Sequence, residues 1–266
     1  MGHAGTVQRL ARHLADLEGS WRAVTSAHDG RVDRVPGAVM AKCRLPVYEN
    51  AVLLDPPALA TVLGFFDDVD AFAIWSRADD PSCAAALVGA GLSPDERTFP
   101  MVADLREAES EPAESEPAET EQSETEQAEM EQAEMQRADD RGRADVELRR
   151  DVDPALVCSV NDLSPAHLLD VPGLHTYATA DEAAVLAAID VVDSTAVCFV
   201  ATRPSARGRG LATALTSAAL VDARSRGLVA ASLQASPMAV GVYTRAGFSP
   251  AGPWWQEWVP KGRGPS

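Results

Sequence analysis

Positive charge is scarce in this 266-residue chain, which has 23 Lys and Arg against 40 Asp and Glu and a formal net charge of −17. A nucleic-acid binder needs a basic face to displace counterions, so no nucleic-acid partner is expected. Long apolar runs are also missing. No stretch approaches the roughly eighteen uninterrupted apolar residues of a membrane span, and the N-terminal TVQRLARHLADLE is amphipathic rather than leader-like. The expectation is a cytoplasmic protein with no membrane contact. Cysteine is sparse too: Cys43, Cys83, Cys158 and Cys198 lie far apart without a C-x-x-C pair, and His3, His13, His28, His167 and His175 show no ligand spacing toward them. Neither a disulfide framework nor a zinc centre is expected, leaving buried reduced thiols and no metal.

The acidity that is present is concentrated. Glu107 to Asp140 holds fourteen acids and one base, a net −13 that leaves only −4 for the remainder. From Glu109 this stretch reads ESEPA, ESEPA, ETEQS, ETEQA, EMEQA, EMQRA, a drifting pentad. A five-residue step matches neither the helical nor the coiled-coil period, so no apolar stripe forms, and glutamates at this density repel one another. Residues 107–144 are therefore expected to be a disordered acidic linker, with a tether for a basic partner as the functional alternative. They divide the chain into a unit at 1–106 and another at 145–266.

The second unit carries a sequence of clear elements. DVELRRDV alternates like a strand, and PALVCSVNDLSPAHLLDV suggests two short helices. LHTYATA, AAVLAAIDVV and TAVCFVAT then read as three antiparallel strands. From Gly210 to Arg226 the residues Leu211, Ala214, Leu215, Ala218 and Val221 recur at helical steps, with Gly227 as the stop. VAASLQA is a strand, PMAVGVYTRAG a short helix, and FSPAG with PWWQEWVP a closing hairpin.

Between the third strand and the long helix lies RPSARGRGLA, with Arg203, Arg207 and Arg209 and glycines at 208 and 210. Glycine bares the backbone, and successive amides at the positive end of a helix dipole suit a pyrophosphate. Neither the P-loop pattern nor the dinucleotide fingerprint fits, since Thr213 stands where the latter needs glycine or alanine. A solvated basic turn is the structural alternative. The pattern [QR]-x-x-G-x-[GA], here Arg207-x-x-Gly210-x-Ala212, with Ser236, Tyr243 and Gly247-Phe248 downstream, resembles the acetyl-CoA signature of the GNAT superfamily of N-acetyltransferases.

That resemblance implies an α/β fold, a mixed and mostly antiparallel sheet flanked by helices, with acetyl-CoA as co-substrate. It implies that Val200, Ala201 and Thr202 pair with the pantetheine arm and that the amides of Arg207, Gly208, Arg209, Gly210, Leu211 and Ala212 hold the pyrophosphate, with Ser236 in the cofactor-binding set. It makes Tyr243 the acid that protonates the departing thiolate, a role a phenol of reference pKa about 10 can fill; packing in the core is the alternative. The strand glutamate many such enzymes carry has no counterpart in TAVCFVAT. Glu182, Asp190, Asp193 and Glu257 remain as candidate bases, none of them singled out.

The first unit reads as a helix at 6–17, strands near 21–27 and 37–43, a helix in DPPALATVLGFF, a strand in DAFAIWS, a helix in PSCAAALVGAG and a strand in TFPMVADL. AAALVGAGLSP aligns with VGVYTRAGFSP without a gap, which suggests an internal duplication. Leu87 then stands where Tyr243 stands, and nothing before Pro57 resembles the arginine-glycine loop. The expectation is two tandem copies, the first degenerate and non-catalytic. Trp75 or Tyr48 would line the acceptor pocket, or serve as core packing. The function expected is acetyl transfer to a small-molecule or peptide amine, directly in a ternary complex; the rival is a non-catalytic CoA-binding regulatory or interaction module.

Overall fold

The computed structural model describes residues 3–43, 45, 48–106 and 146–261; the acidic pentads lie outside the described residues. The first half comprises α1 (His3–Ala27), β1 (Arg31–Val35), β2 (Ala38–Lys42), β3 (Asn50–Leu53), α2 (Leu59–Phe65), β4 (Ala73–Arg77), α3 (Pro81–Gly89) and β5 (Leu92–Asp104). The second comprises β6 (Leu148–Arg150), α4 (Pro154–Val160), β7 (Leu174–Thr179), β8 (Ala184–Val191), β9 (Ser194–Thr202), α5 (Leu211–Ser225), β10 (Ala230–Ala235), α6 (Val240–Arg245), β11 (Ser249–Pro250) and β12 (Trp255–Pro260).

The halves repeat one plan. In the first, β1, β2 and β3 run antiparallel, α2 crosses over, and β4 returns parallel to β3. In the second, β7, β8 and β9 run antiparallel, α5 crosses over, and β10 returns parallel to β9. The matching glycines Gly91 and Gly247, at φ of 86° and 98°, end α3 and α6 in the left-handed conformation that glycine adopts without strain. All described strands join a single 12-stranded sheet, mixed and mostly antiparallel, in the order β1-β2-β3-β4-β12-β5-β10-β9-β8-β7-β6, with β11 paired to β5 off this path.

Two expectations are corrected. The closing hairpin does not form: β11 pairs with β5, and β12 lies between β4 and β5, so each half lends its last strand to the other. Trp258 of β12 thereby enters the core of the first half, while Met101 and Ala103 of β5 enter that of the second. Alternation in PWWQEWVP marks a strand but carries no information about its partner, which is a tertiary choice. The strand near 21–27 is the C-terminal part of α1. Its β-branched residues imitate a strand, yet Trp21 and Val24 continue the three- and four-residue steps of Leu10, Leu14 and Leu17, and this stripe packs onto the sheet.

Helix α1 lies where the halves join. Arg12 forms an ion pair with Asp193, and Asp16 accepts a hydrogen bond from the Ser194 hydroxyl at the start of β9. Farther along, Glu18 holds Arg22 and Arg34. The loop ahead of β3 also reaches across: Tyr48 packs edge-on to Phe199, centroids 6.1 Å apart, and beside His167.

Candidate active site

Strand β9 forks from β10. Their parallel pairing covers Ser194↔Ala230 to Ala196↔Ser232 and stops, so residues 197–202 have β8 on one side and no described strand on the other. A bulge helps open the fork. Opposite β8 the register shifts between Val185 and Ala187, and Phe199 takes a φ of 48°, unusual for a bulky side chain and costing roughly 1–3 kcal/mol. Asn161 meets this strain by donating from its side chain to the Phe199 carbonyl at 3.1 Å. Val200, Ala201 and Thr202, all half-buried, form the far end of the forked strand.

Beyond Thr202 a short 3₁₀ turn at Pro204–Ala206 leads to exposed Arg207, Gly208, Arg209 and Gly210, and then to α5. Gly208 and Gly210 have φ of 77° and 73°, and a Cβ at either would meet nothing within 4 Å. The protein therefore leaves the space over this backbone clear. No described carbonyl accepts from the amides of Gly208, Arg209 or Gly210, and α5 begins without a side-chain cap. Two other helices here are closed by side chains: Asp80 accepts from Ser82 and Cys83 N–H on α3, and Asp153 accepts from Ala155 N–H on α4. Leu211 is buried and Ala212 half-buried in the first turn of α5. These residues fit a diphosphate: uncapped amides lie at a helix N-terminus beside unobstructed backbone.

The basic side chains are less available than their sequence suggests. Arg207 Nε donates to the Thr202 carbonyl at 3.3 Å and Arg203 Nε to the Glu182 carbonyl at 3.1 Å, while Arg209 lies 3.7 Å from Asp181, both of them exposed. A pair in that setting is weak and exchangeable.

Across the fork, Tyr243 on α6 is 7% exposed and stacks edge-on with Phe248 at 6.0 Å. Its hydroxyl makes no hydrogen bond to a described residue. Burial pushes the phenol up to about 12, with a smaller contribution from Cys198. The phenol stays protonated at neutral pH and can give its proton to a group that becomes negative. Ser236, half-buried, follows β10 and turns the chain into α6 by accepting from Ala239 N–H at 2.9 Å.

The structure separates the four candidate bases. Asp190 binds Arg226 and His175, and Asp193 binds Arg12, both at the end of β9 away from the loop. Glu257 is on β12, which is separated from β9 by β5 and β10. Glu182 alone is near the loop, in the β7–β8 turn, where it pairs with Arg149 at 2.8 Å. Trp75 donates to Asn50 Oδ1 within the first half, whereas Tyr48 reaches the bulge of β9. Among the described residues no group of three or more His, Cys, Asp or Glu could hold a metal, and no helix is long and apolar enough to cross a membrane.

Sequence reasoning missed two features. Nothing announced Phe199 as the bulge, because a bulge is a register event between strands. Glu49 was also overlooked; it is 5% exposed, and burial raises its carboxyl to about 7.

A strand fork opening onto an uncapped helix defines an α/β protein able to take up an extended anionic ligand. Residues 160–257 match the family model of the acetyltransferase (GNAT) domain, so the second half carries a GNAT acetyltransferase domain. A search of curated proteins gives no match. Solved structures match nearly the whole chain. A GCN5-related N-acetyltransferase from Kribbella flavida is similar at TM-score 0.61 and 18% identity, over 96% of both chains. A GCN5-related N-acetyltransferase-like protein from Streptococcus suis 89/1591 aligns at 0.55 and 15%, over 97% of this chain and 99% of that one. One from Sphaerobacter thermophilus aligns at 0.50 and 14%, over 97% and 93%. At these identities the likeness is one of fold.

Proposed function

We propose that the protein is an acetyl-CoA-dependent N-acetyltransferase acting on a primary amine, of a small molecule or a peptide, by direct transfer in a ternary complex. The observation that carries this reading is the set of unpaired amides at Gly208, Arg209 and Gly210, beside the fork of β9 and β10. These amides, with those of Leu211 and Ala212, hold the diphosphate, and Arg207 and Arg209 add charge at the rim. The unpaired edge at Val200 to Thr202 receives the pantetheine arm, and Ser236 borders its far side. When bound, the coenzyme supplies an activated acetyl thioester.

Tyr243 holds the proton that the departing thiolate needs, and its burial keeps that proton in place until negative charge develops. The thiols favour direct transfer over a covalent acetyl-cysteine. Cys198 and Cys83 are each raised to about 12, chiefly by burial, and burial raises Cys43 and Cys158 as well, so none is poised as a thiolate. The free thiols also support a reducing, cytoplasmic setting. The first half is non-catalytic in this reading and walls the acceptor side through Tyr48 at Phe199.

The test is calorimetry with acetyl-CoA followed by thiol release across a panel of amines. Saturable binding with turnover is the expected result. Binding without turnover on any amine points to a regulatory module, and absence of binding removes the coenzyme reading altogether.

A further inference from the structure

The first half holds a cleft of about 970 Å³ at the end of its sheet where β2 finishes and β3 and β4 begin. Its lining is acidic, with Asp29, Asp67, Asp68, Asp70 and Glu49 against two cations, Arg31 and Lys42. Both cations are already engaged. Lys42 donates to the Phe65 carbonyl at 3.0 Å and pairs with Asp68, while Arg31 lies over the Phe65 ring at 4.8 Å and 3.6 Å from Asp33. Among the described residues Asp29, Asp67 and Asp70 have no ion-pair partner.

Glu49 distinguishes this cleft from a merely acidic surface. It lines the cleft at 5% exposure, and one of its carboxylate oxygens, Oε2, is buried without a hydrogen-bond partner among the described residues. A carboxylate withdrawn from water and left half-satisfied costs free energy unless a cation or a donor completes it. An ammonium group supplies both, with up to three N–H donors and a full positive charge. The exposed aspartates surrounding it suit further positive charge on the same molecule.

We propose that this cleft is a binding site for a small polycationic amine, with one ammonium on Glu49 and the remaining charge facing Asp29, Asp67 and Asp70. The site is separate from the β9–β10 fork and does not depend on coenzyme binding there. It lies one residue from Tyr48, whose ring meets Phe199 at the bulge of β9.

The test is calorimetric titration of the full chain with spermidine, with acetyl-CoA titrated in parallel so that failure of the two sites is read separately. Because residues 107–140 carry a net −13 and attract polyamines loosely, the readout is the difference between wild type and Glu49→Gln. Glu49→Gln removes a buried charge and is expected to fold at least as stably. It should weaken the tight phase by about tenfold or more and leave acetyl-CoA affinity unchanged. Asp70→Asn, on the exposed rim, should weaken it by only about two- to threefold. Wild-type binding should also tighten as pH rises through about 7, where Glu49 ionises. Identical isotherms for wild type and Glu49→Gln, or the absence of a saturable phase, overturn the proposal.

Discussion

The two halves have the same plan and opposite fates at one place, the passage from the third strand into the crossover helix. In the second half, β9 parts from β10 after Ala196, and the chain then spends Arg207 to Gly210 on open backbone before α5 begins. In the first, β3 stays paired with β4 through Val52↔Trp75, and the passage is Asp55 followed by a 3₁₀ turn at Pro56–Ala58 running directly into α2. Pro56 and Pro57 have no N–H to offer, so the equivalent of the cradle has no donors. The partner difference is at Leu87, fully buried where the second half has Tyr243. In the proposed reading, the anion-receiving site is the bared backbone of Gly208 to Gly210 and an open fork, not the fold itself.

Experiments that break this comparison start at the exchanged strands. Trp258→Ala, a change near the C-terminus, should destabilise the first half, whose core Trp258 completes, by about 3–5 kcal/mol in chemical denaturation. Hydrogen exchange should register the loosening in β3 and β4 before β7 and β8; the reverse order would contradict the strand exchange. Next, Tyr243→Phe should lower kcat by roughly 10²-fold with acetyl-CoA affinity retained. Wild-type turnover in that variant removes the acid role. Gly210→Val forces a β-branched residue to φ 73°, so it should weaken acetyl-CoA binding by about tenfold and cost about 1–2 kcal/mol of stability. Gly64, in helix α2 of the first half, has open space at its Cβ, and Gly64→Ala should leave coenzyme affinity unaltered.

The smallest effect at neutral pH concerns the join between the halves. His13 on α1 is buried against Trp255 of β12, its ring nitrogens have no hydrogen-bond partner among the described residues, and burial lowers its pKa to about 4. Between about 6.5 and about 4 the unfolded chain takes up a proton that the folded chain refuses, so stability should fall as pH falls through that window. His13→Leu should flatten this part of the stability–pH curve and change little at pH about 7. An unaltered slope would mean that other groups carry the acid sensitivity.

Much of this was readable from local pattern. The helical steps of Leu211 to Val221, the alternating strands at 174–202 and the matched AGLSP and AGFSP endings all rest on periodicities and turn chemistry within a few residues. The arginine-glycine loop was legible for the same reason, since glycine at 208 and 210 serves a backbone conformation that those residues adopt by themselves. Trp21 to Ala27 misled because β-branched residues favour strands locally, while the stripe that keeps them helical is satisfied only against a sheet.

The sequence alone marked most elements of the second half, the matched helix endings and the glycines at 208 and 210, because each depends on side-chain size, spacing or the missing Cβ of glycine. Only the tertiary structure decided that the halves exchange their last strands, that β9 bulges at Phe199 to open the fork, and that Glu49 is buried without a full complement of partners among the described residues. Strand partnership, register and desolvation are relations between distant segments, and a strand reads the same in sequence whichever neighbour it joins.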